Sequence, residues 1–298
     1  MRIAVSGRTG QVVTSLIERG ALRGHEIVAL GRPELDLAET SGSAMRALLA
    51  SAAPDAVVSA AAFTAVDRAE SEPDAAFAVN AEGPGRLAEA AAALNLPVVH
   101  LSTDYVFSGE GAQAWREDDP TGPQGVYGAS KLAGEQAVLA AHPHAAILRT
   151  AWVYSPFGAN FVRTMLRLAE AREEVAVVAD QRGNPTSALD IADGTLAVAA
   201  NLAHGHDPAL AGVFHMAGAG DVSWAGFAEA IFAESARRGG PTARVRPIAT
   251  AEYPTPARRP GNSRLDCAKI ARIHGVRLPD WRSSLPVVIE RLLEGHEQ

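Results

Sequence analysis

The sequence is short of several residue types, and each shortage excludes something. Cys267 is the one cysteine, so no disulfide can form within the chain. That fits a reducing compartment, and a cytoplasmic location is expected. Lysine is almost absent: Lys131 and Lys269 are the two in 298 residues, and arginine fills the other basic positions. Positive charge is in deficit overall, with a formal net charge of -7. A general nucleic-acid partner is therefore not expected, because phosphate-backbone affinity needs a basic face. No apolar run approaches the ~20 residues that span a bilayer, so no membrane partner is expected. The opening MRIAVSG enters an apolar strand directly, and no signal peptide is expected. Nine histidines include HPH at 142–144 and HGH at 204–206, which read as exposed loop residues. No Cys/His set has zinc spacing, so no metal is expected.

What is present alternates in type. Apolar runs at 2–7, 25–31, 55–62, 97–103 and 145–150 read as buried strands. Between them, 9–24, 41–55, 73–96 and 126–142 have helical spacing. This alternation predicts an α/β fold: a Rossmann-like, doubly wound parallel sheet with both faces covered. After residue 150 the pattern loosens, and Pro and Arg cluster in RVRPIATAEYPTPARRPGNSR at 244–264. A smaller, interleaved C-terminal substrate lobe is expected there. Residues 1–150 plus about 187–210 form the dinucleotide-binding unit in this division, and about 151–186 and 211–298 the substrate lobe.

Gly7 and Gly10 lie between the first strand and the first helix. Glycines there let backbone approach a pyrophosphate, and the helix N-terminus offers N–H donors. The end of the second strand reads VALGRPELD. Arg32 stands where an acid would bind ribose hydroxyls, and Arg8 lies within the glycine turn. Two guanidiniums at this corner favour NADPH, with NADH as the alternative. Solvated surface arginines are the plain competing account.

One of the scarce lysines lies in GVYGASKLAGE, four residues after Tyr127. Tyr and Lys at that spacing share a helix face. An adjacent ammonium is expected to lower the phenol's pKa, and such a tyrosine can hand a proton to a carbonyl oxygen as hydride reaches the carbon. LSTDYVFSG at 101–109 ends a strand with Ser102 and Thr103 at the carboxyl edge, where ligands of open α/β sheets bind. Either hydroxyl could bind the substrate oxygen.

These stretches, together with LRTAWVYSPFGANF, DQRGNPTSALDIA and RPGNSRLD, occur in one order over nearly the whole chain. The chain resembles the extended short-chain dehydrogenase/reductases, and within them the dTDP-4-dehydrorhamnose reductase family. The resemblance implies that Thr103, Tyr127 and Lys131 are catalytic and that Gly7, Gly10, Gln11 and Val12 form the pyrophosphate loop. It places Asp36 and Leu37 beside the adenine and Ala60, Ala61 and Ala62 beside the cofactor at a strand end. Trp152, Asn160, Phe161, Gln181, Pro185 and Thr186 fall where the family handles the sugar nucleotide. Asp104 joins this set with a carboxylate expected to fix the loop, and Arg259 is expected near the diphosphate. Val13 departs from the family pattern by replacing its third glycine.

The implied activity is NADPH-dependent reduction of the C4 keto group of dTDP-4-dehydro-6-deoxy-L-mannose. A 4-ketoreductase for another dTDP-6-deoxy sugar, such as one of the dihydrostreptose type, stays open. So does a non-catalytic regulatory subunit resembling that of methionine adenosyltransferase. A dehydratase of the same superfamily would want an acid pair after the threonine, and Tyr105 follows Asp104 instead. An epimerase fits the motifs less closely. The assembly is open between a monomer and a homodimer.

Overall fold

Five short runs, rich in Val, Ile and Ala, form the strands β1 (Arg2–Ser6), β2 (Glu26–Leu30), β3 (Ala56–Ser59), β4 (Val98–Thr103) and β5 (Ala145–Thr150). In the computed structural model, which describes residues 1–205 and 207–294, all five join Gly212–His215 in one parallel six-stranded sheet. The order is Gly212–His215, β5, β4, β3, β1, β2. The winding reverses between β1 and β3, which opens a crevice at their carboxyl ends. β4 pairs with β5 in a register that sets Ser102 against Arg149 and Thr103 against Thr150.

Both faces of the sheet are covered, which is why its strands read as continuous apolar runs. Ile3, Val5, Leu16, Val58, Ile191 and Phe214 pack on one side, under the helices Gln11–Leu22 and Ala188–His204. Met45, Leu49, Val57, Leu87 and Val138 pack on the other, under Gly42–Ala52, Gly83–Ala92 and Val126–Ala141. A separate core forms from Tyr154, Leu166, Phe227, Ile231, Trp281 and Val288. Its helices are Phe161–Ala169, Trp224–Arg237 and Trp281–Glu294, beside a parallel pair of strands, Glu174–Val178 and Arg244–Ile248.

Three expectations need correction. The chain after 211 does not stay in the smaller lobe: Gly212–His215 pairs with β5, and Ile270 and Val276 join the core of the large sheet. The strand's apolar side chains complete a sheet edge that β5 would otherwise leave open. The stretch 73–96 is not one α-helix, because a π-helical turn, Ala78–Glu82, divides it before Pro84. Pro84 has no N–H to give to the Asn80 carbonyl, so the ladder widens there. His142 is buried rather than exposed, with Nε2 2.8 Å from the Leu96 carbonyl. His204 is exposed, and His206 lies outside the described residues. Among the described residues no helix is long and apolar enough to cross a membrane.

Candidate active site

The Val126–Ala141 helix lies over the end of β4 and brings Tyr127 to Thr103 and Lys131 to His100 and Leu101. Close packing there depends on Gly128 and Gly134, where a Cβ would collide with the Tyr105 and Asn80 carbonyls. The Thr103 hydroxyl donates to Asp104 Oδ1 (3.0 Å) and accepts the Tyr105 N–H (3.2 Å). The Tyr127 side chain lies close enough for this hydroxyl to influence its phenol. Burial pushes the Tyr127 phenol above its ordinary value; Asp104 and Tyr105 push the same way and Thr103 opposes them. Tyr105 meets Tyr127 edge to face at 5.4 Å.

Lys131 does not act on the phenol as expected from spacing. Its side chain, 2% exposed, runs inward, and Nζ donates to the Leu101 carbonyl at 2.7 Å and lies 3.3 Å from His100 Nε2. A residue one turn on from Tyr127 faces the β4 backbone, and its four-carbon stem carries the ammonium past the phenol to the strand. The groups that shift Tyr127 are Thr103, Asp104 and Tyr105. Burial brings Lys131 down to about 8, opposed by Glu135.

Of the two strand-end hydroxyls, Ser102 is already engaged. It donates to Glu135 Oε1 at 2.5 Å, and Glu135 is held in turn by Arg149 through Nε (2.9 Å) and Nη2 (2.7 Å). Thr103 is the hydroxyl at the crevice. Asp104 beside it is 3% exposed, and burial raises its carboxyl to about 6, opposed by the nearby hydroxyls of Ser263 and Thr103.

The glycine turn lies across the sheet. Gly7 and Gly10 both have φ of +108°, which disfavours any side chain. Nothing lies within 4 Å of where a Cβ on Gly10 would sit, and no side chain caps the helix that Gln11 begins. Val13 is buried against Gly7, so the missing third glycine is filled by packing. Ser6 Oγ accepts the Ala60 and Ala61 N–H groups at 3.0 and 3.1 Å, tying β1 to the end of β3. Ala62 follows, half-buried, and Val12 packs partly into the core. Arg8 crosses over Gly31 and pairs with Glu34. Arg32, 82% exposed, is 3.9 Å from Asp36. Asp36 caps its own turn through the Ala38 N–H, and the Leu37 side chain is buried in the core. Gln11 reaches across to Ser155, which donates to Oε1 at 3.0 Å.

On the far side, Trp152 adopts φ of +47° and its indole stacks on Trp224, with Phe161 against the same ring at 4.5 Å. Gln181 donates to Thr250. Arg259 pairs with Asp67 at 2.6 Å, lies near Tyr105, and lines an open pocket with Tyr253, Thr255 and Gly261. Two expected residues are structural instead. Thr186 is fully buried between the Asn184 carbonyl and the Gly218 N–H. Asn160 caps a helix through Oδ1 while Nδ2 holds the Ser155 carbonyl, so both ends of its amide serve the loop.

The model of the RmlD substrate binding domain matches residues 1–294. The chain belongs to this family. A relative from Sinorhizobium fredii, a dTDP-4-dehydrorhamnose reductase by name, is 51% identical over 300 residues, covering 100% of each chain. A crystal structure of a dTDP-4-dehydrorhamnose reductase from Clostridium acetobutylicum superposes with a TM-score of 0.90 at 35% identity, covering 98% of this chain and 100% of that one. The Bacillus anthracis reductase in complex with NADP gives a TM-score of 0.88 at 33% identity, covering 97% and 98%.

Several residues of this RmlD-family site escaped sequence reasoning. Glu135 is eight residues after Tyr127 and four after Lys131, so its spacing on one helix face could have found it. His100, missed in the sequence, shares a face of β4 with Ser102 by alternation, and both meet that helix. Trp224, Gly183 and Asp67 come from distant segments, and no local signal marks them.

Proposed function

We propose that this protein is an NADPH-dependent 4-ketoreductase that converts dTDP-4-dehydro-6-deoxy-L-mannose into dTDP-L-rhamnose. The observation that carries the reading is the buried Tyr127 phenol set close to Thr103 at the sheet's carboxyl edge, in a chain of this family. NADPH, when bound, supplies the hydride that arrives at C4 of the sugar. Tyr127 is present as the neutral phenol, since burial opposes the phenolate, and it gives its proton to the C4 oxygen as charge develops there. Thr103 holds that oxygen.

The residues at the glycine turn fit a dinucleotide. Open space at Gly10 and an uncapped helix N-terminus suit a pyrophosphate. Arg8 and Arg32 suit a 2′-phosphate, with Arg8 exchanging Glu34 for it. Lys131 holds the nicotinamide ribose, Asp36 and Leu37 bound the adenine site, and Ala60–Ala62 form its floor. Trp152, Asp104, Gln181, Phe161 and Arg259 face the dTDP-sugar, while Asn160 and Thr186 act by holding the wall. Residues 1–150 and about 187–215 form the dinucleotide unit and the rest the substrate lobe, apart from the stretch near Ile270 that returns to the large core. The one cysteine, whose thiol burial raises to about 12, fits a cytoplasmic protein.

The test is NADPH oxidation with enzymatically made dTDP-4-dehydro-L-rhamnose, with NADH in parallel and the product identified by NMR. Formation of dTDP-L-rhamnose with NADPH preferred supports the reading. NADPH binding without oxidation, or a product of opposite C4 configuration, removes the sugar assignment.

A further inference from the structure

His100 is an imidazole in the middle of a parallel strand, with no surface exposed. A buried polar ring is costly unless its nitrogens are satisfied. Both are. Nε2 lies 3.3 Å from Lys131 Nζ, and Nδ1 lies 3.0 Å from Ser59 Oγ on β3. An ammonium has donors only, so the nitrogen facing it must be the acceptor. That leaves the ring proton on Nδ1, where it is donated to Ser59. The hydrogen bond at one nitrogen thus sets the tautomer at the other.

We infer that His100, with its ring proton accepted by Ser59, is a positioning residue that holds the Lys131 ammonium. Two of the three Nζ donors are then anchored on β4, by His100 and by the Leu101 carbonyl. The third is left to serve a ligand in the crevice. A neutral ring is required, and burial together with Lys131 keeps His100 well below its ordinary value. The other ionisable groups around the ammonium are Glu135 on its own helix, with Arg149 of β5 paired behind it, and Tyr127 one turn earlier. Glu135 supports the charge; His100 supplies direction. The inference uses the functional reading only to name the ligand as NADPH; the contact itself is independent of it.

The scarcity of lysine makes the test clean. Protein labelled with ¹⁵N-lysine carries two Nζ signals, one each from Lys131 and Lys269. The expected wild-type result is a protected Lys131 ammonium, with ¹⁵N shifts of the His100 ring showing Nδ1–H and a bare Nε2. In His100→Leu the Lys131 titration midpoint falls by about one pH unit and the NADPH Kd rises roughly tenfold, the scale of a hydrogen bond to a charged group. His100→Gln, whose amide oxygen can reach the Nε2 position, recovers most of both; His100→Asn, which is too short, does not. A wild-type ring protonated on Nε2, or a His100→Leu midpoint and Kd equal to wild type, overturns the inference. The ring measurement needs no variant, so it decides even if His100→Leu does not fold. Failure of the wild type to bind NADPH would remove the functional reading, while the two Nζ signals would still judge the contact.

Discussion

The indole of Trp152 stacks on that of Trp224 with ring centroids 3.5 Å apart and planes 9° from parallel. Trp152 holds a left-handed backbone conformation, φ +47°, that costs a non-glycine residue about 1–3 kcal/mol. Its other neighbour is Gly183, where a Cβ would sit 2.5 Å from Trp152 Cε2. The ring is therefore clamped between a tryptophan and a bare backbone. Gly183→Ala should push the indole out of place. The expected outcome is a higher KM for the sugar nucleotide with little change in the KM for NADPH, checked by steady-state kinetics. Loss of the paired-indole signal in circular dichroism should accompany it.

Tyr127→Phe keeps the ring and its contact with Tyr105 but removes the proton donor. Turnover should fall by roughly 10²–10⁴-fold, the usual scale for losing a general acid. The NADPH Kd, measured by titration calorimetry, should stay within about twofold of wild type, since Lys131 is anchored on β4 rather than on the phenol.

Asp104 gives a pH signature in stability. Its folded carboxyl is raised from 3.8 to about 6, so the folded state binds its proton more tightly than the unfolded state. For this group stability is highest below the unfolded value and is lost as pH rises from about 4 to about 6. A rise of that size corresponds to about 3 kcal/mol. Asp104→Asn should flatten the Tm profile over this range and raise Tm at neutral pH, even as it weakens the hydrogen bond from Thr103.

Lys131 gives a signature in binding. Burial lowers it to about 8, so the ammonium is present at neutral pH and lost as pH rises through that value. NADPH affinity should fall along an alkaline limb with its midpoint near 8. Lys131→Met should bind weakly at every pH and show no such limb.

Glu135 and Arg149 form an ion pair with side chains 3% and 5% exposed. Removing one partner of a buried pair leaves an uncompensated charge and costs roughly 3–5 kcal/mol. Glu135→Ala should show that loss in urea unfolding, and Glu135→Gln, which keeps a hydrogen bond to Ser102, should lose less.

Five of the six strands of the large sheet were legible to within a few residues because each is an apolar run bounded by turn residues, whereas the sixth, Gly212–His215, is a four-residue run that the loosened pattern after residue 150 hides. The glycine turn was legible because Gly7 and Gly10 need positive φ. Thr103, Tyr127 and Lys131 could be picked out by order and spacing. Their contacts could not. Helical spacing shows that Tyr127 and Lys131 share a face, but whether the ammonium turns to the phenol or to the strand depends on how deeply the helix packs on β4. Glycine at 128 and 134 lets the helix approach the Tyr105 carbonyl just past β4 and the Asn80 carbonyl of the neighbouring π-helical turn. The pairing of Glu174–Val178 with Arg244–Ile248 joins segments far apart in the chain, and Pro247 within it argues locally against a strand. Trp224 and Gly183 meet Trp152 through the same kind of distant packing, which no local pattern encodes.

The most direct test of the reaction is to follow deuterium from the nicotinamide ring. The protein would be incubated with dTDP-4-dehydro-L-rhamnose and NADPH carrying deuterium at the transferable position, and the sugar product examined by NMR. The account predicts dTDP-L-rhamnose with deuterium at C4 and nowhere else, and no label above background from Tyr127→Phe in the same time. Deuterium at another carbon, or unlabelled product formed while NADPH is unchanged, would contradict it.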